Sequence, residues 1–166
     1  MNIFNAIFKS INDYNDFSFK GIRKISIRFE ESQFEKLKKE IELKGMKIVC
    51  RYEKVHGRTP EDVSKETVRG YDILSKSKNE KRHIEVKSFS TTNPIQISSN
   101  EWRVASQLRE DYYLYVVENI SKDPETQPTV VSDPYMNLEK YVKKVPIEDY
   151  KMVLDKIPEE IMNKLC

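Results

Sequence analysis

Two β-prone runs in the middle of the chain, residues 70–75 and 82–89, carry charged side chains among their apolar positions. Asp72 in the first run precedes Glu85 in the second by thirteen residues, which is enough for one strand, a turn and part of the next strand. Glu85 and Lys87 are two residues apart, so on a strand they share one face while their apolar neighbours point to the other. The pattern predicts a hairpin that brings two carboxylates and one ammonium to a single place.

The N-terminal part of the chain combines one helical pattern with two short alternating patterns. Apolar residues at helical spacing predict a short amphipathic helix within residues 2–11. Alternation over residues 17–19 and 25–29 predicts strands or a hairpin. This segment could serve as a dimerisation or docking arm, or it could form an additional layer on the main domain.

Two helical patterns follow the N-terminal segment. Ser32 and Glu35 have the spacing of a capping box and predict the start of a helix, which Gly45 either ends or is carried within. A second helical run is predicted to end at Gly57. Glu53 lies on this second run, where its position alone is typical of a solvent-exposed helix acid.

Strand and helix patterns alternate in the second half of the chain, which predicts a mixed α/β layer fold. Ser98 and Glu101 form another capping box, and Trp102 is the predicted core anchor of the helix that follows. The predicted elements are a loop over residues 56–64, a short strand over 95–97, a buried strand over 112–117, an edge strand over 129–131, and helices over 98–109, 137–144 and 147–165.

Composition narrows the functional classes without selecting one. A chain of 166 residues favours one domain with an appended arm. A net charge of +2 is too small to indicate nucleic-acid binding by itself. No apolar run approaches the roughly 20 residues that a membrane span needs. Two distant cysteines and the lack of a secretory pattern favour reduced thiols and a cytoplasmic location. The four glycines are not clustered, so a phosphate-binding loop is excluded.

The residues of the predicted hairpin suit the hydrolysis of a phosphodiester bond. The carboxylates of Asp72 and Glu85, with the backbone carbonyl of Val86, could hold Mg²⁺ or Mn²⁺, which prefer oxygen ligands. Lys87 could orient or deprotonate a water molecule and neutralise the charge that builds on a phosphate. The alternative is structural: Glu85 and Lys87 would then lie on a wet strand face, and Asp72 would cap a turn.

A longer set of motifs resembles a known family. The order of Asp72 followed by Glu85-Val86-Lys87 resembles the signature of the PD-(D/E)XK restriction-endonuclease-like superfamily. A more specific set of motifs comprises Met46-Lys47-Ile48-Val49, Tyr52-Glu53-Lys54, His56-Gly57-Arg58, Pro60-Glu61-Asp62-Val63-Ser64, Gly70-Tyr71-Asp72-Ile73, Ile84-Glu85-Val86-Lys87, Asn100-Glu101-Trp102 and Tyr113-Leu114-Tyr115-Val116-Val117. With these motifs, the chain resembles the protein NO VEIN C-terminal domain family over about residues 43–135.

The resemblance implies a restriction-endonuclease-like α/β (α+β) fold, in which helices flank a central mixed β-sheet with a metal site at one edge. It implies that Asp72 and Glu85 are metal ligands, that Lys87 is the catalytic lysine, and that Glu53 approaches the metal from the first helix. The residues that it places near nucleic acid are His56, Arg58, Lys54 and Ser88, with pairing to Asp62 as an alternative role for Arg58.

Three segments follow from this resemblance: an N-terminal arm over residues 1–42, a nuclease-like core over 43–138, and a C-terminal helical segment over 139–166. The expected activity is that of a Mg²⁺-dependent endonuclease, a hydrolase acting on nucleic acid and above all on DNA, in a defence, restriction or DNA-processing context. The expected partners are DNA, a second copy of the chain, and a helicase or defence-system protein, with no membrane. The alternative is a non-catalytic nucleic-acid-binding or assembly module that retains the nuclease fold.

Overall fold

The computed structural model describes residues 20–90, 94–120, 126–145, 151–154, 157 and 159. The chain divides into two compact units, residues 1–38 and 39–166. The predicted helix within residues 2–11 and the predicted strand over 17–19 lie outside the described residues. The predicted segment boundaries after residues 42 and 138 stay predictions.

The first described element is one long helix, α1 (Lys20–Val55). The predicted strand over residues 25–29 is therefore wrong, because a five-residue alternation is too short to outweigh residues 22–44, which contain neither glycine nor proline. Gly45 is carried within the helix. A Cβ atom at Gly45 would lie 2.5 Å from the side chain of Ser88, so glycine permits the helix to approach the sheet closely at this point.

The strands form two sheets. They are β1 (Thr59–Asp62), β2 (Ile73–Lys76), β3 (Lys81–Ser88), β4 (Ile95–Ser98), β5 (Tyr112–Val117), β6 (Thr129–Ser132), β7 (Lys143–Val145) and β8 (Lys151–Leu154). The described residues contain a five-stranded sheet in the order β1-β2-β3-β5-β6 and a three-stranded sheet in the order β4-β8-β7. Strands β3 and β5 are parallel, whereas the other neighbouring pairs are antiparallel. The predicted mixed sheet flanked by helices is confirmed.

Two shorter helices and three 3₁₀ turns complete the described structure. They are α2 (Ser99–Leu108), α3 (Pro134–Leu138) and the turns Thr67–Arg69, Arg109–Asp111 and Glu139–Tyr141. The predicted capping box at the start of α2 is confirmed, since Ser98 Oγ accepts from the Glu101 N–H and the Glu101 side chain accepts from the Ser98 N–H. Within the described ranges, no helix combines the length and apolar character that crossing a bilayer requires.

Several predicted elements differ from the structure. The predicted loop over residues 56–64 contains β1, where Pro60 is tolerated because β1 is an edge strand. The predicted third strand is β4, but it belongs to the smaller sheet. The helix predicted over 137–144 covers only α3 and a 3₁₀ turn before β7 begins. Part of the helix predicted over 147–165 is the strand β8, because pairing with β4 and β7 satisfies its backbone groups.

The apolar residues of the large sheet pack into cores on both of its faces. Strand β5 shows this directly, since Leu114 and Val116 belong to one cluster while Tyr115 and Val117 belong to the other. The cluster around Leu114 includes Trp102 of α2, which confirms the predicted core anchor. The cluster around Tyr115 includes buried Val49 of α1. Helices α1 and α2 therefore cover opposite faces of the sheet.

Candidate functional site

Asp72 lies immediately before β2, where the chain enters the large sheet. Its N–H donates to the Ile84 carbonyl at 2.9 Å, and its own carbonyl accepts from the Val63 N–H at 2.8 Å. Two residues earlier, Gly70 takes a left-handed φ of +69°. The Gly70 carbonyl accepts from the buried Tyr112 hydroxyl at 2.8 Å. These bonds fix the backbone on both sides of Asp72.

The Asp72 carboxylate takes the place of a strand partner beside β3. The paired register of β2 and β3 reaches its last pair at Ile73 and Ile84, whereas β3 continues to Ser88. Beyond this pair, the Val86 N–H donates to Asp72 Oδ2 at 2.9 Å. The N–H and carbonyl of one strand residue point to the same edge. The Val86 carbonyl, which the hairpin pattern predicts as a further metal ligand, therefore faces the edge of β3 on which Asp72 lies.

Lys87 lies between two carboxylates on one face of β3. Its Nζ is 2.6 Å from Glu85 Oε1 and 2.8 Å from Glu101 Oε2. Glu85 is only 4% exposed. Glu101 Oε2 also accepts from the Ser98 N–H at 2.9 Å. The first turn of α2 thus contributes a third carboxylate beside the Asp72, Glu85 and Lys87 set.

Burial and mutual charge perturb these groups strongly. Burial raises the pKa of Asp72, with the Lys87 ammonium opposing the rise. Burial also raises the pKa of Glu85 well above its usual range; Lys87 opposes this rise and the Asp72 carboxylate adds to it. Burial would lower the pKa of Lys87, but Glu85 and Glu101 outweigh it and the net pKa is raised. For Glu101, burial is outweighed by Lys87 and Ser98, so its pKa is lowered.

Carboxylate charge exceeds ammonium charge at this site. Asp72, Glu85 and Glu101 face a single ammonium from Lys87, so fully ionised carboxylates leave an excess of two negative charges that a divalent cation balances. The raised pKa values of Asp72 and Glu85 reflect the burial of this charge. In the part of the chain that the structure describes, no group of three or more His, Cys, Asp or Glu residues is arranged to hold a metal ion. The candidate ligands are two carboxylates and the carbonyl of Val86, oxygen donors of the kind that Mg²⁺ and Mn²⁺ prefer.

The structure does not bring Glu53 to this site. Its fully buried carboxylate pairs with Arg58 through two bonds of 2.6 and 2.8 Å. It also accepts from the Tyr115 hydroxyl at 2.6 Å and lies 3.9 Å from Arg82. Side chains alternate along β3, so Arg82 and Glu85 point to opposite faces of the sheet. Glu53 therefore belongs to an ion-pair network on the α1 face.

The other residues predicted to lie near nucleic acid are also outside the cluster. Arg58 pairs with Glu53 rather than with Asp62, whose carboxylate instead accepts from a neighbouring serine. His56 is exposed and is hydrogen-bonded through Nδ1 to the carbonyl of a preceding turn of α1. Lys54 is exposed near the end of that helix. Ser88 packs against Gly45 of α1, on the face of the sheet opposite Lys87.

Sequence reasoning missed the contributions of Glu101 and Tyr112 to the site. The spacing of Ser98 and Glu101 predicts the capping role that Glu101 has, but no local pattern indicates that the same carboxylate contacts Lys87. Tyr112 belongs to the predicted buried strand. In the structure its hydroxyl donates to the carbonyl of Gly70, 42 positions earlier in the sequence. The signal that could have drawn attention to Glu101 was its place in the motif Asn100-Glu101-Trp102 of the family resemblance.

Comparisons with known proteins identify one family. The model of the family described as protein NO VEIN, C-terminal, matches residues 41–131. No curated protein matches the chain. Among solved structures, the chain is similar to a Holliday junction resolvase of Archaeoglobus fulgidus, with 14% sequence identity and a TM-score of 0.46. That similarity covers 73% of this chain and 88% of the resolvase.

Proposed function

The chain belongs to the protein NO VEIN C-terminal family, and we propose that it is a metal-dependent nuclease that hydrolyses phosphodiester bonds in DNA. The observation that carries this proposal is the arrangement on β3, the central strand of the large sheet. There, the Asp72 carboxylate accepts from the Val86 N–H, and Lys87 lies between Glu85 and Glu101.

Each residue of the arrangement has a role in the proposed reaction. Asp72, Glu85 and the carbonyl of Val86 would hold Mg²⁺ or Mn²⁺. When bound, the metal supplies a water of lowered pKa and polarises the phosphodiester. The pKa of Lys87 is raised by Glu85 and Glu101, so its side chain carries a positive charge at neutral pH. That charge suits the neutralisation of a phosphate in the transition state.

The experiment is the nicking of supercoiled plasmid with Mg²⁺ or Mn²⁺. We compare the wild type with Asp72→Ala and Lys87→Ala, and with Glu61→Gln as a control at an exposed acid of β1. Nicking by the wild type and by the control, with loss in both site variants, supports the proposal. A folded wild type that cleaves neither DNA nor RNA with either metal overturns it. Salt-dependent retention of DNA without cleavage supports the non-catalytic binding module instead.

The biological setting is part of the same proposal. We place the activity in defence, restriction or DNA processing in the cytoplasm, together with a helicase or another defence protein. We also propose that two copies pair through the apolar residues at positions 3–11, which lie outside the described residues. Light scattering tests the pairing, and a monomer at micromolar concentration contradicts it.

A further inference from the structure

Glu101 lies at the junction of two hydrogen-bonded systems. Its Oε2 accepts from the Lys87 ammonium at 2.8 Å and from the Ser98 N–H at 2.9 Å. In return, the Ser98 hydroxyl accepts from the Glu101 N–H at 3.2 Å. The backbone N–H of Ser98 and the Lys87 ammonium therefore hold the same carboxylate oxygen.

We propose that Glu101 is a positioning residue, which holds the Lys87 ammonium away from an exclusive pair with Glu85. This inference rests on the proposed function, since it assigns Lys87 a place in the nuclease site. It goes further, because it gives the Glu101 carboxylate a part in orienting the lysine.

The physical basis is the sharing of one cation between two carboxylates. Without Glu101, Lys87 would have only Glu85 as a carboxylate partner among its described contacts, at 2.6 Å. The ammonium would then pair with Glu85 alone. It would neutralise the Glu85 carboxylate, which the proposed metal requires as a ligand. With Glu101 in place, the ammonium is anchored from α2 as well as from its own strand. Both carboxylates are shielded from solvent, with side-chain exposures of 5% and 21%, so these charge-assisted bonds are strong.

Three variants of the capping-box residues separate the capping role of Glu101 from its positioning role. Ser98→Ala removes the hydroxyl that accepts from the Glu101 N–H, but it keeps the Ser98 N–H and the contact of Glu101 with Lys87. Glu101→Ala removes the reciprocal capping bond and also releases Lys87. Glu101→Gln keeps an acceptor oxygen without the charge. If Glu101 acts only as a cap, the two alanine variants behave alike.

We measure kcat and KM for plasmid nicking, together with the thermal midpoint of each variant. We expect Glu101→Ala to lower kcat about 10- to 100-fold with KM nearly unchanged, and Glu101→Gln to recover part of that loss. We expect Ser98→Ala to lower the midpoint by about 2–4 °C and to keep kcat within about twofold of the wild type. Equal losses of kcat in Ser98→Ala and Glu101→Ala overturn the proposal.

Crystal structures of the wild type and of Glu101→Ala give a readout that does not depend on activity. We expect Lys87 Nζ to lie within hydrogen-bond distance of Glu101 in the wild type and to leave that position in the variant. An unchanged Nζ position in Glu101→Ala overturns the positioning role. If the wild type has no nuclease activity, the proposed function fails, and the lysine positions alone decide whether Glu101 holds Lys87.

Discussion

The carboxylate of Asp72 acts as a substitute for a strand backbone, since its Oδ2 lies 2.9 Å from the Val86 nitrogen at a position beyond the last β2–β3 pair. One side chain thereby satisfies a backbone donor and supplies a negative charge at the proposed metal site. The two roles can be separated by mutation.

Replacing Asp72 by asparagine and by alanine should separate hydrogen bonding from charge. Asp72→Asn keeps an oxygen that accepts from Val86, so we expect its free energy of unfolding to stay within about 1 kcal/mol of the wild type. Asp72→Ala leaves the Val86 N–H without that acceptor and should lose about 1–3 kcal/mol. Both variants should lose cleavage. Urea denaturation tests the difference, and equal stability of the two variants contradicts it.

Addition of a divalent metal should stabilise the wild type against unfolding. The three carboxylates at the site exceed the single Lys87 ammonium, so a cation that binds only the folded state relieves repulsion. At about 100 times its dissociation constant, such a ligand adds about 2.7 kcal/mol. Thermal unfolding with Mn²⁺, Mg²⁺ or a chelator measures this shift. The shift should disappear in Asp72→Asn and persist in Glu61→Gln, and an equal shift in both variants would rule out binding at this site.

The buried Glu53 network should contribute to stability in a pH-dependent way. Burial opposes ionisation of Glu53, but bonds from Arg58 and Tyr115 outweigh it and lower its pKa. A carboxyl with a lowered folded-state pKa stabilises the protein above its unfolded pKa, which is about 4.3 for glutamate, and this stability is lost as pH falls through the folded-state pKa.

Glu53→Gln should therefore lose about 3–5 kcal/mol of unfolding free energy at pH 7. Among the described ion pairs, Arg58 would lose its closest anion and keep only the longer contact of 3.7 Å with Glu80. The difference from the wild type should narrow as pH falls below about 4. Urea denaturation across this pH range provides the measurement, with Glu61→Gln as an exposed control that stays within about 0.5 kcal/mol of the wild type. If the stability difference between Glu53→Gln and the wild type does not change with pH, the pKa of Glu53 is not lowered in the folded state.

Two glycines with left-handed φ values should respond differently to alanine. Gly57 has φ +74°, and the position of a Cβ there has open space around it. Gly57→Ala should therefore lower the free energy of unfolding by only about 1–2 kcal/mol, through strain in the backbone. Gly70 has φ +69°, and a Cβ there would lie 2.8 Å from the Val104 side chain. Gly70→Ala should cost about 1–3 kcal/mol more, because overpacking adds to backbone strain. Chemical denaturation that gives equal losses would contradict the packing contribution.

Removal of a single hydroxyl should distinguish two neighbouring tyrosines of β5. The Tyr112 hydroxyl donates to the Gly70 carbonyl in a buried position, whereas that of Tyr113 makes a longer, part-buried contact of 3.3 Å with Glu80. We expect the free energy of unfolding to fall by about 1–2 kcal/mol in Tyr112→Phe and by less than about 0.5 kcal/mol in Tyr113→Phe. Tyr112→Phe should also lower nicking, because Gly70 leads into Asp72. A larger loss in Tyr113→Phe would refute this order.

Local patterns were sufficient for the elements that build the site. Alternation identified β3, an apolar run identified β5, and the spacing of Ser98 and Glu101 identified the start of α2. Local patterns failed to predict secondary structure where a short run of residues is compatible with both a helix and a strand. The C-terminal strand β8 carries spacing that is compatible with a helix, and its strand state depends on pairing with β4 from a distant part of the chain.

The sequence by itself determined that Glu85 and Lys87 share a strand face, because the period of a strand is a local property of the backbone. Only the tertiary structure decided which carboxylate joins them. Both faces of the large sheet are apolar enough to receive a helix, as the alternate residues of β5 show, so no local pattern assigns α1 or α2 to a face. Packing placed Glu53 with Arg58 on one face and Glu101 with Lys87 on the other.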